Sequence, residues 1–494
     1  MPIFAEIASR SDVLTALRSP RRLKTEVLGG LVVALALIPE AISFSIIAGV
    51  DPRLGLFASF TMAVTIAIVG GRPAMISAAT GAVALVVAPI AREYGVDYLL
   101  ATVILAGVFQ LVLGALGVGR LMRFIPRSVM VGFVNALAIL IFTAQLPHLI
   151  DVPWPVYPMV AVGLAIMVGL PRLTRAVPAP LVAIVVLTAA TVGFTLAVPN
   201  VGDEGELPDT LPHWLIPDVP LNLETLRIIA PVAAAMAVVG LLESLMTAKL
   251  VDDITDTHSN KTREACGQGI ANVVTGFFGG MGGCAMIGQT MINVKESAAR
   301  TRISTFLAGV FLLILVVGFG GLVAQIPMAA LVAVMVMVAA GTFDWHSIAP
   351  ATLRRMPRSE TAVMVMTVAI TVATSNLAFG VGAGVITAAL LFVRRVAHFT
   401  GVDVVDSDAS VRTYRVSGEL FFASSNDLVY QFDYADDPPT VIVDLTDAHV
   451  WDASTVASLD AIETRYRAKG KTVEFIGLNP DSAQRHDRLR GTLG

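Results

Sequence analysis

The sequence contains little charge and almost no cysteine. Charged residues make up 15% of the 494 residues, whereas hydrophobic residues make up 55%. A soluble domain has about 25% charged residues, so the composition indicates a membrane protein. The deficit of charge falls in residues 25–400, while residues 401–494 have the composition of a soluble domain. Cys266 and Cys284 are too few for a disulfide framework or a structural zinc site.

Motifs for enzymatic chemistry and for ATP use are also missing. The sequence has no P-loop, no dinucleotide-binding fingerprint after a strand and no Ser-His-Asp arrangement, and its histidines lack ligand spacing. No basic patch with interleaved aromatic residues points to nucleic acid. We therefore expect neither an enzyme nor a bound cofactor, metal or nucleic acid. We also expect no cleavable signal peptide, because the first 20 residues are polar and mixed.

Long hydrophobic runs follow one another from residue 26 onward. A run of this length can cross a hydrocarbon core about 30 Å thick. Together with two shorter, glycine-interrupted runs at 74–92 and 284–297, they predict about fourteen crossings. The uninterrupted runs are 26–47, 54–70, 98–118, 128–146, 155–171, 178–198, 229–249, 264–279, 301–322, 326–342, 360–376 and 378–396.

Basic residues lie on one side of these crossings. With the N-terminus inside, the cytoplasmic loops hold almost all of the loop arginines and lysines. The longest outer loop, 199–222, holds Asp203, Glu204, Glu206 and Asp209 and neither Lys nor Arg. This asymmetry follows the positive-inside rule. It predicts a multi-pass protein of the plasma membrane, or of a bacterial inner membrane, with both termini in the cytoplasm.

The tail alternates strand and helix patterns. We expect a strand at 411–424, a helix at 426–434, a buried strand at 440–449 and a strand at 471–478. An amphipathic helix at 452–470 would have Asp452 at its N-cap. Alternating elements predict a small α/β domain, and we place it at residues 403–494.

One short stretch occurs twice. Residues 70–81 read GGRPAMISAATG, and residues 282–291 read GGCAMIGQTM. If crossings 1–7 and 8–14 are two copies, the odd number of crossings inverts the second copy. The glycine-interrupted segments then correspond as crossings 3 and 10, which is the pattern of a transporter site between inverted repeats. The predicted boundaries are an N-terminal segment 1–25 and a transporter domain 26–398, with repeats at about 26–198 and 222–398.

Both stretches would end at the start of a half-helix. Thr80-Gly81 would begin one half-helix, and Ile287-Gly288-Gln289 would begin the other. Their N-termini would face each other at the membrane midplane, with positive dipole ends and unpaired N–H groups that suit an anion. The alternative is that glycine and small residues only allow close helix packing. The duplication favours a binding site.

Two carboxylates lie deep in hydrophobic runs. Glu40 follows Pro39 and would lie about 22 Å into its helix at 1.5 Å per residue. Glu243 would lie at a similar depth from the opposite side. Acids within a membrane are costly and commonly carry protons, although a protonated acid could also serve as a structural hydrogen bond between helices.

Three further acids follow crossing 8. They lie among polar residues, and we interpret them as part of a solvated loop in preference to a metal site. They are Asp252, Asp253 and Asp256.

The order of motifs resembles the SulP anion transporters, also called solute carrier family 26, and in particular their bacterial branch. The motifs are IPEAISFSIIAGVDPRLGLFAS, GGRPAMISAATGAVA, GLLESLMTAKLVDD, GGMGGCAMIGQTMIN, IPMAALVAVMVMVA and GELFFAS…VIVDLTDAHVWDAST. The resemblance covers essentially the whole chain. It implies an α-helical fold of about fourteen segments in two inverted seven-segment repeats, divided into core and gate domains. A cytoplasmic STAS domain of α/β type would follow.

The resemblance also implies an anion site between segments 1, 3, 8 and 10 and an elevator-like movement of core against gate. The residues that we expect around the anion are Phe44, Ala79, Thr80, Gly81, Ala285, Met286, Ile287, Gly288 and Gln289. A homodimer is implied by the resemblance alone.

The chain departs from the common family pattern at two positions. Many members carry Gln where this chain has Glu40, and many carry Arg where it has Gln289. An ionised Glu40 would repel a bound anion, so we expect it to be protonated when substrate binds. Anion and proton would then move together, with Glu243 either as the second polar wall of the site or as an alternative coupling residue. Ser454 aligns with a serine that is phosphorylated in regulatory relatives, but we interpret it as an ordinary serine at a helix start.

We therefore predict secondary active symport of a proton with a small inorganic or organic anion, such as sulfate, bicarbonate or a fumarate-like dicarboxylate. One alternative is sodium-coupled bicarbonate transport. Another is an anion sensor in the bilayer that signals to a cytosolic protein through the STAS domain. An uncoupled channel is a further alternative, although an anion pore would not be expected to line itself with acids.

Overall fold

The computed structural model describes residues 13–119, 125–173, 179–397 and 400–492. The chain forms two compact units, Met1–Val385 and Ile386–Gly494, and the division falls within a helix. The two units are described separately below.

Helices dominate the first unit. They are α1 (Pro20–Ala48), α2 (Pro52–Val69), α3 (Gly81–Tyr94), α4 (Val96–Ala115), α5 (Arg127–Thr143), α6 (Val156–Leu173), α7 (Ala179–Gly193), α8 (Leu223–Thr255), α9 (Lys261–Phe277), α10 (Ile287–Met291), α11 (Arg302–Val323), α12 (Met328–Thr342), α13 (Pro350–Arg355), α14 (Arg358–Thr374) and α15 (Leu377–Ala397).

The helices follow the hydrophobic runs of the sequence, and each predicted run overlaps one of them. Within the described ranges, 8 helical spans are long and apolar enough to cross a membrane, and two shorter helices, α7 and α12, are also apolar. The many-span helical architecture predicted from hydropathy is confirmed by this set.

Two short strands interrupt the helical order. Strand β1 (Ser77–Ala78) precedes α3, and strand β2 (Cys284–Ala285) precedes α10. They pair in antiparallel fashion, with Ser77 opposite Ala285 and Ala78 opposite Cys284. Extended backbone at this depth is tolerated only where protein satisfies its polar groups, and the strand pairing does part of this.

Buried polar side chains on α9 satisfy more of the strand backbone. Asn272 donates from Nδ2 to the Gly283 carbonyl at 3.0 Å and accepts from the Gly283 N–H at 2.9 Å. Gln268 donates to the Ser77 hydroxyl at 2.7 Å. Both of these α9 side chains are fully buried. One helix therefore holds β1 and β2 in place from the same side.

Helix α10 is unusually short. It extends over 5 residues, Ile287–Met291, and continues directly as a π-helical stretch, Ile292–Glu296. Such π stretches occur frequently at functional sites. The second half-helix therefore differs in form from α3, which runs for 14 residues from Gly81 to Tyr94.

Helix α8 runs further than the hydropathy pattern predicted. It reaches Thr255, so Asp252 and Asp253 lie within it, and Asp256 ends it in a left-handed conformation with φ of 49°. The side chain of Asp252 is only 15% exposed and lies 3.1 Å from Arg72 and 2.8 Å from Lys261. The interpretation of a solvated loop is therefore wrong for Asp252, because a buried arginine pairs with it.

The second unit contains a four-stranded mixed sheet in the order β3-β4-β5-β6. The β3–β4 pair is antiparallel, and the β4–β5 and β5–β6 pairs are parallel. The strands are β3 (Gly401–Ser407), β4 (Val411–Leu420), β5 (Thr440–Val450) and β6 (Thr472–Ile476), and the helices are α16 (Phe422–Leu428), α17 (Ala453–Ala468) and α18 (Pro480–Leu489).

The sequence pattern located most of this unit but misplaced one helix. The helix expected at 426–434 is α16, which begins earlier, at Phe422, and ends at Leu428. Phe432 instead belongs to the buried core of the sheet. Strand β3 and helix α18 were not expected. The predicted N-cap of α17 is confirmed, because Asp452 accepts from the Thr455 N–H at 3.0 Å.

Candidate functional site

The site is built on the β1–β2 pair. Because these strands are antiparallel, the chain leaves them at opposite ends, toward the start of α3 in one case and of α10 in the other. Ala79 and Ala285 are buried at this crossing. The structure therefore brings the two repeated sequence stretches together, although they lie about 200 residues apart in the chain.

The start of α3 is capped by the side chain of its own N-cap residue. Thr80 is the N-cap residue, and its Oγ1 accepts from the Val83 N–H at 3.3 Å. A β-carbon on Gly81 would lie 2.9 Å from Cε1 of Phe44, so the Phe44 ring of α1 packs directly on this helix start. The first N–H groups of the helix lack intrahelical acceptors and form its positive end.

The start of α10 is more open. Met286 is its N-cap residue and makes no side-chain cap, and its N–H donates to the Ile76 carbonyl at 2.9 Å. Ile287 and Gly288 follow as the first helical residues. A β-carbon on Gly288 would meet no heavy atom within 4 Å. Open space therefore adjoins the N-terminus of α10.

Glu40 and Gln289 meet at this space. Glu40 lies in α1 directly after Pro39 and is 9% exposed. The side chain of Gln289 lies within hydrogen-bonding reach of its carboxyl group. Oε1 of Gln289 is buried and has no hydrogen-bond partner among the described residues. The two positions at which the sequence departs from the family pattern are thus neighbours in space.

Glu243 reaches the crossing from α8. It is 7% exposed, and its Oε2 accepts from Sγ of Cys284 at 3.0 Å. The same sulfur lies 3.2 Å from Oγ1 of Thr80. The next residue of α8, Ser244, accepts from the Ala285 N–H at 3.0 Å. Helix α8 therefore holds β2 and connects Glu243 with the start of α3 through one thiol.

Cys284 did not stand out in the sequence. A buried free cysteine usually behaves as a small hydrophobic residue. The one feature of the sequence that could have indicated its role is its place in the second repeated stretch. It lies two residues before Met286, the N-cap residue of α10. Only the fold shows that its partners come from two other segments.

The site combines two helix N-termini with two acids. In the described part of the chain, neither Glu40 nor Glu243 forms an ion pair. The nearby buried arginine, Arg72, is engaged by Asp252, Thr255 and Thr257. Backbone N–H groups can hold a small anion here, and the carboxyl groups can hold protons.

Ser454 lies in the second unit. It is exposed in the first turn of α17, two residues after the cap Asp452. It does not act as the cap, since Asp452 accepts the Thr455 N–H.

Comparison with known proteins identifies the family. The profile described as "Sulfate permease family" matches residues 23–162 and 154–367. The chain belongs to this family. The profile described as "STAS domain" matches residues 403–490 of the same chain. Both parts of the resemblance seen in the sequence are confirmed.

Two curated relatives align with nearly the whole chain. The Bacillus subtilis protein YbaR, whose name proposes sulfate as its substrate, is 53% identical over 460 residues, or 93% of this chain and 95% of YbaR. The bicarbonate transporter BicA of Picosynechococcus is 25% identical over 531 residues, or 95% of this chain and 91% of BicA.

A solved structure shows the same fold. Murine solute carrier 26 family member A9, an anion transporter in the inward-facing state, superposes with a TM-score of 0.80 over 94% of this chain and 87% of the murine chain, at 17% identity. The protein is therefore a multi-pass membrane transporter of anions with a STAS domain. The family consists of transporters, which confirms that the chain is not an enzyme.

Proposed function

We propose that this transporter carries one small anion together with a proton. The proposal rests on two helix starts that lie beside two buried acids. The start of α3 is partly capped and that of α10 has no side-chain cap. Glu40 and Glu243 form no ion pair within the described residues. The helix starts attract an anion, whereas ionised acids repel it.

The repulsion is large enough to demand a proton. A unit anion 4 Å from an ionised carboxylate is disfavoured by about 4 kcal/mol at an effective dielectric constant of about 20. A carboxyl group that takes up a proton removes this cost and can donate a hydrogen bond. Anion binding and proton binding therefore favour each other at this site.

Glu40 is the proton carrier in this proposal. Its neighbour Gln289 suits both protonation states, because an amide offers N–H donors to a carboxylate and an oxygen acceptor to a protonated acid. The oxygen of Gln289 is buried without a partner in the described chain. A protonated Glu40 would supply the hydrogen bond that this oxygen lacks, after a turn of the amide.

The substrate class is a small anion, with sulfate, bicarbonate and C4-dicarboxylates as the candidates. The name of YbaR proposes sulfate, and that of BicA states bicarbonate. The site residues in this proposal are those predicted from the sequence, from Phe44 on α1 to Gln289 on α10. Transport would proceed by an elevator-like movement that carries the site across the membrane.

We also propose a bacterial plasma-membrane location with both termini in the cytoplasm. The transporter domain would span 26–398, as two inverted repeats, and the STAS domain 403–494. The STAS profile match at residues 403–490 supports the second boundary. The STAS domain is the expected contact for a cytosolic partner, and the transporter is expected to form a homodimer.

The test uses the full chain in liposomes. Labelled sulfate, bicarbonate and fumarate are supplied separately, with and without an inward proton gradient. We expect the gradient to stimulate uptake of one of these anions. Glu40→Gln should abolish the stimulation while basal uptake persists, because glutamine mimics the protonated acid. Glu204→Gln, at an exposed acid of the outer loop, is the matched control and should behave like the unchanged protein.

Other results would redirect the proposal. Stimulation by a sodium gradient alone would favour sodium-coupled bicarbonate transport, in line with the similarity to BicA. Uptake that ignores both gradients and Glu40 would contradict symport. Absence of uptake for all three anions would favour an anion sensor that acts through the STAS domain.

A further inference from the structure

The thiol of Cys284 occupies a position that the proposed coupling does not use. Its sulfur lies between a carboxyl group and a hydroxyl group, 3.0 Å from Oε2 of Glu243 and 3.2 Å from Oγ1 of Thr80. All three side chains are buried. One of them is a proton acceptor, and another caps the helix start at which an anion would bind.

The donors and acceptors in this chain of contacts can be counted. A thiol has one hydrogen to donate and a weakly accepting sulfur, and a hydroxyl has one hydrogen and two acceptor positions. An ionised carboxylate only accepts. Oγ1 of Thr80 already accepts from the Val83 N–H at 3.3 Å. The directions of the remaining bonds therefore depend on the protonation state of Glu243.

With Glu243 ionised, every hydrogen is committed. The Cys284 thiol must donate to the carboxylate, because the carboxylate has no hydrogen of its own. The contact between Cys284 and Thr80 can then form only if the Thr80 hydroxyl donates to the sulfur. The hydroxyl hydrogen of Thr80 is directed away from any ligand.

With Glu243 protonated, the order reverses. The carboxyl O–H donates to the sulfur, and the thiol hydrogen is released to donate to Oγ1 of Thr80. That oxygen accepts two hydrogen bonds, from Cys284 and from the Val83 N–H. The hydroxyl hydrogen of Thr80 then becomes available at the N-terminus of α3.

We infer that Cys284 is a positioning residue that links proton uptake by Glu243 to the Thr80 hydroxyl, so that this hydroxyl donates to an anion only when Glu243 is protonated. The inference rests on the proposed anion site at the start of α3. It adds a second route of coupling to the electrostatic one, and it assigns Glu243 a role different from that of Glu40.

Few other titratable groups can interfere at this position. The elements that pack most closely on α8 are α3, α4, α9, α10 and β2. Cys284 is the titratable side chain with a described contact to Glu243. The second acid of the site, Glu40, is approached by Gln289. The charged side chains of the packed helices lie near helix ends and are Arg92, Glu93, Asp97, Lys261, Arg263 and Glu264.

The first test is spectroscopic and needs no substrate. The S–H stretch is recorded by infrared spectroscopy on the full chain carrying Cys266→Ala, so that Cys284 supplies the whole signal. The pH is varied from about 5 to about 9, a range in which buried carboxyl groups titrate. We expect the band to shift with pH, because the thiol exchanges a carboxylate acceptor for a hydroxyl acceptor.

Two variants assign the shift. Glu243→Gln should remove it, and Glu40→Gln should leave it unchanged. A band that does not move with pH, or that still moves in Glu243→Gln, would overturn the inference.

The second test measures uptake of labelled sulfate, bicarbonate and fumarate at several pH values. For the transported anion, we expect KM to rise from low to high pH. The hydrogen bond from Thr80 should account for about tenfold of this rise, the size expected for a charge-linked hydrogen bond. Cys284→Ser keeps one donor and one acceptor and should retain this dependence. Cys284→Ala should reduce this dependence by about tenfold, the part due to the hydrogen bond, with the electrostatic part remaining. Equal pH dependence in all three proteins would contradict a role for the thiol.

The two proposals fail in different ways. If the S–H band responds to Glu243 while a proton gradient stimulates no uptake, the hydrogen-bond reversal holds and proton symport fails. If uptake is stimulated by protons while the band is static, symport holds and the role of Cys284 fails.

Discussion

At the scale of single residues, the two halves of the site differ in how they treat backbone N–H groups. The Thr80 side chain accepts a hydrogen bond from one backbone N–H at the start of α3, whereas the Met286 side chain accepts none at the start of α10. The start of α10 therefore leaves more donors for a ligand. Gly288 keeps the space beside them open, since an added β-carbon would meet nothing within 4 Å.

A methyl group at Gly288 should fill space that the anion needs. Gly288→Ala is expected to fold normally and to raise KM by about tenfold or more, since one misplaced methyl in a pocket is worth about 1–3 kcal/mol. Gly382→Ala is the matched control, because Gly382 lies in α15 and also has nothing within 4 Å of an added β-carbon. Uptake kinetics in liposomes decide the comparison, and an unchanged KM for Gly288→Ala would place the anion elsewhere.

Sequence reasoning found the two acids of the site but not the thiol that contacts one of them, Glu243. Glu40 and Glu243 stand out because a charge in a hydrophobic run is costly and demands an explanation. Cys284 gives no such signal, since a cysteine in an apolar segment is unremarkable by composition. Its contacts to Glu243 and Thr80 span 41 and 204 residues of sequence, so only the folded chain makes them visible.

At the scale of elements, the end of α8 is fixed by a buried ion-pair cluster. Asp252 lies against Arg72 and Lys261, and Arg72 also donates to Thr255 at 2.5 Å and Thr257 at 2.8 Å. This cluster ties α8 to the segment that leads into β1. It therefore positions the strand pair from the far end of the helix.

Removal of the charge at Asp252 should loosen this connection. Asp252→Asn is expected to lower stability by about 3 kcal/mol, because Arg72 would be left buried without its partner. Asp253→Asn is the control, since that side chain is 62% exposed and pairs, among the described residues, with Lys249 one turn away, a contact of at most about 0.5 kcal/mol. Thermal unfolding of the detergent-purified chain measures both, and equal midpoints would contradict a structural role for the cluster.

In the STAS unit, Tyr414, Tyr466 and Asp437 form a buried cluster. The half-buried Tyr434 packs against it, with its ring centroid 4.7 Å from that of Tyr466. The Asp437 carboxylate accepts from Tyr414 at 2.9 Å, from Tyr466 at 2.5 Å and from Arg412 at 2.6 Å. Burial raises the pKa of Tyr434 to about 12. Burial, with the Asp437 carboxylate as a further cause, raises the pKa of Tyr466 well above its usual range.

These raised pKa values predict alkaline unfolding of the STAS unit. A tyrosine whose pKa is higher in the folded state stabilises the fold below its unfolded pKa of about 10, and this stability is lost as pH rises beyond it. We expect tyrosinate absorbance to rise late, above about pH 10, together with loss of sheet signal in circular dichroism. Tyr434→Phe should remove part of the late absorbance. Complete titration near pH 10 with the sheet intact would contradict the buried cluster.

The elements that the sequence did not predict share a physical reason. Strand β3 exposes Val404 and Val405 in succession, so it lacks the alternation of a half-buried strand. Helix α18, with the sequence PDSAQRHDRL, contains few apolar residues, so no apolar run marks it in the sequence. By contrast, β5 and α17 were predicted closely, because each buries one regular face in the core.

At the scale of the whole molecule, the repeated stretches constrain the topology. An inverted repeat requires the two broken segments to run in opposite directions, and the antiparallel pairing of β1 with β2 meets this requirement. Hydropathy was sufficient to predict most of the helical layout. It could not predict the π-helical end of α10, because that form depends on local packing and not on hydrophobic period.

The orientation in the membrane can be measured directly. The background is a chain without native cysteines, carrying Cys266→Ala and Cys284→Ser. Single cysteines are then introduced at two exposed positions. They are Asp209→Cys, in the acidic 199–222 loop, and Asp481→Cys, in the STAS unit. Since basic loops stay inside, a membrane-impermeant maleimide should label position 209 on intact cells. Position 481 should react only after permeabilisation. The reverse pattern would place the STAS unit outside and the 199–222 loop inside, which would contradict the orientation predicted from loop charge.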